Sequence, residues 1–142
     1  MSNVRLTHYQ RSLKIKEDLG DIAGIASSLH QIGNLHHARG NYDEALSHYQ
    51  RSLKIQEDLE DIAGVALTQG QTGSLMMELG RHEQAFALLV AAMITLTRIE
   101  SPYAGVAANL LRDLRLKCGE GQFDAQWRRQ FDDDPPEWIK TD

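Results

Sequence analysis

The sequence predicts an all-α protein built as a stack of helix pairs, on three observations. The stretch HYQRSLKIKEDLGDIAGIA, beginning at His8, returns forty residues later as HYQRSLKIQEDLEDIAGVA, with sixteen of nineteen positions identical. The segments that follow the two copies align at the same spacing: Ile32-Gly33 with Thr72-Gly73, Leu35 with Leu75, Gly40 with Gly80, Ala45 with Ala85. Inside a period the apolar residues fall at helical intervals, as Ile22, Ile25, Leu29 and Ile32 do, and no run reads as a strand. A period near forty marks a unit that buries its apolar face only by stacking on its neighbours.

Seven helices follow in order, near residues 4–19, 22–38, 42–58, 62–79, 82–98, 102–117 and 122–132. The first has the stripe Leu6, Tyr9 and Leu13 and matches the second helix of a pair whose first helix is absent. Asp21 and Asp61 open the next pairs, because a carboxylate accepts the free backbone N–H groups of a first helical turn. Gly40 and Gly80 stand where a left-handed residue ends a helix. Asn41 then caps the helix from 42, and Asp43-Glu44 place negative charge at its positive end. A weaker third copy opens with Ser101 as cap and Pro102 in the first turn; its YAGVAANL from Tyr103 matches IAGVALTQ from Ile62. Pro135-Pro136 stops any helix. The expected organisation is thus one array over 1–132: a lone helix at 4–19, repeats at 22–58 and 62–98, and a degenerate repeat at 102–132. Residues 133–142 form a tail.

Bulk composition narrows the function. The chain has 142 residues, of which 42% are hydrophobic, enough for a core. Its net charge of −5 argues against general nucleic-acid affinity, which needs a basic surface. The single cysteine, Cys118, excludes an intrachain disulfide and a cysteine-built zinc site, and suits a reducing compartment. The longest apolar run, Ala85 to Ile94, spans roughly 15 Å as a helix, about half a bilayer core. With no apolar signal segment at the start, a soluble cytoplasmic protein is expected.

The pattern Leu29-x2-Ile32-Gly33-x2-His36, then Gly40-x-Tyr42, then Ala45-x3-Tyr49, resembles the tetratricopeptide repeat. The forty-residue period is similar to the longer variant seen in kinesin light chains, Pins-type adaptors and bacterial proteins. The resemblance implies a right-handed superhelix whose first helices line a concave groove that grips peptides or helices of a protein partner, without catalysis. It also implies which side chains face that groove: His30, Asn34 and His37 in the first repeat, Gln71 and Ser74 in the second, Arg112 and Arg115 in the third. The two arginines would suit an acidic peptide, since a guanidinium donates two parallel hydrogen bonds to a carboxylate. Gly33-Asn34 and Arg112 resemble parts of a carboxylate clamp; His30 and Ser74 depart from it.

Other groups carry little chemistry. His30 and His37 are two turns apart, about 10.5 Å, too far to share a metal ion. His36 takes the usual aromatic position and reads as packed. His8 and His48 are repeat equivalents, which points to structure inherited by duplication. No base neighbours Cys118 in sequence, and no phosphate loop, nucleophile elbow or HExxH pattern is present. No catalytic residue, metal or cofactor is assigned. The chain opens in mid-repeat with a helix copied from an internal one. Leu6, Tyr9 and Leu13 on that helix are therefore candidate self-association residues, giving a two-fold homodimer as the alternative function.

Overall fold

The computed structural model describes residues 2–140, and all its regular elements are helices. They are α1 (Ser2–Leu19), α2 (Ile22–Ala38), α3 (Tyr42–Asp58), α4 (Ile62–Glu78), α5 (His82–Arg98), α6 (Ala104–Cys118), α7 (Glu120–Phe131) and the short α8 (Glu137–Lys140). Each helix from α1 to α6 packs on the next. α2 also touches α4, α4 touches α6, and α8 lies on α6. This is a helical-repeat solenoid in which the first helices of the pairs, α2, α4 and α6, share one side.

The joints between pairs follow from the duplicated phrase. Asp21 and Asp61 each accept the backbone N–H three residues on, from Gly24 and Gly64, at 3.0 Å. Two of the three differences between the copies fall at working positions. Lys16 donates to Ser28 Oγ at 2.9 Å. Its counterpart Gln56 instead accepts from Thr68 Oγ1 at 2.7 Å, and Thr68 is the counterpart of Ser28. Each joint is therefore closed by a side-chain hydrogen bond between the same two places, with the donor reversed. Gly20 has a left-handed backbone, with φ 71°, and Glu60 takes the same conformation, φ 56°, without glycine's freedom. The third difference, Ile25 for Val65, changes one methylene.

Inside a pair the contact is close. Gly33 lets the Tyr49 ring sit on the backbone of α2, and Gly73 does the same for Leu89. Tyr49 and Leu89 are completely buried. The largest cluster gathers Phe86, Leu89, Leu111, Leu114, Phe123 and Trp127 from α5, α6 and α7. Phe86 meets Phe123 edge-on with ring centroids 5.3 Å apart.

Three local expectations change. Asn41 sits at the N-cap of α3, yet its side chain makes no capping bond. α6 begins at Ala104 rather than 102, because Ser101 Oγ accepts from the N–H of Tyr103 at 3.1 Å and forms a tight turn ahead of the helix. The segment after Pro135-Pro136 is not a free tail up to residue 140. It turns back as α8, with Ile139 only 2% exposed and Trp138 packed against the main cluster. α7 has already ended at the left-handed Asp132, φ 53°, before the prolines, and the apolar pair beyond them still finds a surface to bury.

Candidate functional site

The first helices expose a continuous line of small and polar residues, and two hollows lie along it. The first has a volume of about 320 Å³. His30 and Gln31 from α2, Leu67 and Gln71 from α4, and Val106 and Leu110 from α6 are among its walls. Gly70 and Ala107 keep its floor low, and Leu96 closes it from α5. Val106 and Tyr103 are each 53% exposed here and offer apolar surface to the hollow.

The polar wall is held by a relay. The Thr68 hydroxyl donates to Gln56 Oε1, so its oxygen accepts from His30 Nδ1–H at 2.9 Å. That fixes the tautomer and points Nε2 away from the relay. Burial holds the His30 imidazole below its ordinary pKa.

The second hollow, more open, is lined by Asn34, His37, Tyr42, Gln71 and Glu78. Gln71 borders both. Here Tyr42 donates to Glu78 Oε2 at 2.7 Å, and His37 Nε2 lies 2.9 Å from Glu78 Oε1. The Tyr42 hydroxyl and His37 hold the Glu78 carboxyl below its usual range. Tyr49 donates to Asn34 Oδ1 at 2.7 Å, and burial raises its phenol pKa, so it remains a donor.

The structure brings His30, Asn34, His37 and Gln71 to this line. Ser74 is half-buried and borders neither hollow. The arginines are engaged inside the chain. Arg115 is 7% exposed and grips Asp124 with two bonds, of 3.0 and 3.2 Å. Arg112 Nε donates to the Trp138 carbonyl at 2.6 Å, its Nη1 to Asn109 Oδ1 at 2.6 Å, and its guanidinium lies over the Trp138 ring. α6 instead faces the first hollow with Tyr103, Val106, Ala107 and Leu110, which the sequence reading did not assign to it. The helical spacing of Tyr103, Val106 and Leu110 was the signal available in the sequence.

Leu6, Tyr9 and Leu13 are each half-buried on α1. From Val4 onward no α1 residue is fully buried, whereas its copy α3 buries Ala45, Tyr49, Ser52 and Gln56. Burial raises the Cys118 thiol above its ordinary pKa, which lowers the share present as the reactive thiolate.

A stack of helix pairs whose first helices share one side defines a helical-repeat solenoid. The sequence model of the tetratricopeptide repeat family matches residues 6–58, covering most of α1 and all of α2 and α3. Residues 6–58 therefore carry the tetratricopeptide repeat pattern. Repeats of this family mediate protein–protein interaction and are generally non-catalytic. No curated protein matches the chain. No helix among the described residues is long and apolar enough to cross a membrane.

Proposed function

We propose that the chain is a non-catalytic scaffold that holds an extended peptide or helix of a partner protein along the groove of α2, α4 and α6. The observation that carries this reading is the first hollow: an apolar wall of Leu67, Val106 and Leu110 beside the polar side chains of His30, Gln31 and Gln71. Such a site takes an apolar anchor side chain and fixes its backbone by amide and imidazole hydrogen bonds. Because Arg112 and Arg115 are engaged internally, an apolar anchor suits the groove better than an acidic one.

The test is a displayed peptide library selected on the whole chain, followed by affinities for Leu67→Glu and Val106→Glu. Both positions are partly open, so the fold tolerates the change. Selected peptides should lose at least ~10-fold in affinity, about 1.4 kcal/mol. Equal binding to both variants would place the interaction elsewhere.

A second reading rests on α1. Val4, Ile15 and Leu19 are 61%, 58% and 77% exposed there, a surface that a second copy of the chain would cover. Sedimentation at ~100 µM, where an interface of standard size associates, separates the two readings. A dimer broken by Ile15→Glu supports self-association, and a strict monomer removes it.

A further inference from the structure

We propose that His36, Glu44 and His48 form a binding site for a divalent transition-metal ion of the zinc class at the turn between α2 and α3. One ligand atom from each residue lies within 4.8 Å of the other two. A zinc ion with bonds of 2.0–2.1 Å needs neighbouring ligand atoms about 3.4 Å apart. Rotation of the exposed Glu44 side chain and small movements of two half-buried imidazoles close that difference.

Three further features fit a ligand set. His48 Nδ1 is 2.7 Å from the Glu44 carbonyl oxygen, so Nδ1 carries the proton and Nε2 keeps its lone pair for a metal. A second-sphere hydrogen bond of this kind orients metal-binding histidines. His36 Nδ1 is buried and has no hydrogen-bond partner, although buried polar atoms are normally satisfied. The two rings stand 5.2 Å apart between centroids without a hydrogen bond that would explain their pairing.

The repeat supplies an internal comparison. Forty residues on, the same three places hold Met76, Gln84 and Leu88. Met76 and Leu88 pack in the main apolar cluster. The fold therefore needs only apolar contact at the two histidine places. In the first pair the three places carry two imidazoles and a carboxylate, the ligand types of borderline metals. His8, the counterpart of His48 on α1, has Val4 where Glu44 would be. The set occurs once, and three protein ligands leave a fourth position for water or a donor from a bound partner.

Titration of the whole apo chain with Co²⁺, and with Zn²⁺ in competition, tests this. The expected result is a single saturable site with intense tetrahedral ligand-field bands, bleached by Zn²⁺. His36→Gln and His48→Gln should each weaken binding by ~10-fold or more, by analogy with the loss on disturbing such sites. His30→Gln should leave it unchanged. If a ligand variant does not fold, Zn²⁺ titration of the wild-type chain by imidazole NMR gives the same answer: the His36 and His48 resonances shift first. Binding only at millimolar metal, wild-type affinity in a folded His36→Gln or His48→Gln variant, or first shifts at His30, His37 or His82 would overturn the proposal.

Discussion

Gly33→Ala puts a methyl group where the first repeat has no space. A Cβ built at Gly33 lies 2.7 Å from both Cδ1 and Cε1 of Tyr49, and 3.4 Å from the Ala45 carbonyl oxygen. Carbon pairs need about 3.5–4.0 Å, so the ring must retreat by roughly 1 Å. It is completely buried, and its hydroxyl is tied to Asn34 Oδ1 at 2.7 Å. Alanine gains about 1 kcal/mol over glycine in a helix interior. Overpacking a filled core costs about 1–3 kcal/mol, and losing the tyrosine hydrogen bond adds about 1 kcal/mol. The expected net effect is a destabilisation of about 1–3 kcal/mol by urea unfolding. Gly70→Ala is the control. Its Cβ would meet only Ala92 Cβ at 3.9 Å, so the propensity gain stands and stability should rise by up to ~1 kcal/mol. If Gly33→Ala is as stable as the wild type, the reading of Gly33 as the seat of Tyr49 is wrong.

Three further outcomes are expected. Glu60→Gly should raise stability by up to ~1 kcal/mol in thermal unfolding, because it removes a side chain from a left-handed backbone; a loss would show that Glu60 contributes more than its strain. Arg115→Ala should cost about 3 kcal/mol in denaturant unfolding, since it strands Asp124, whose side chain is only 14% exposed, without its cation, while groove binding of an apolar-anchored peptide stays as it was. The third outcome concerns pH. The folded His30 pKa lies below its unfolded value, so the unfolded chain takes up the proton first as the pH falls. His30 therefore makes stability drop between about 6.5 and its lower folded value, and His30→Gln should flatten that part of the stability–pH curve.

The helical framework was legible because its signals are local. Asp21 and Asp61 mark helix starts, Gly40 and Gly80 mark ends, and the forty-residue copy aligns them. That His30, Asn34, His37 and Gln71 share one side of the first helices was legible, because repeat equivalence fixes the face. The same was not legible on α6, because a helix face says nothing of what later covers it. Arg115 is claimed by Asp124, nine residues on, and Arg112 by Trp138, twenty-six residues on. Likewise Pro135-Pro136 announces a stop but not that Trp138 and Ile139 return to the core. His36 and His48 each read singly as packing residues. Only the antiparallel packing of α2 on α3 sets them together with Glu44.

The central claim is that a partner lies along α2, α4 and α6. Methyl NMR of the whole chain titrated with a selected peptide tests it most directly. Shifts are expected at the methyls of Leu67, Val106 and Leu110, with Leu6, Ile15 and Leu19 silent. Shifts confined to α1, with the groove methyls unmoved, would contradict it.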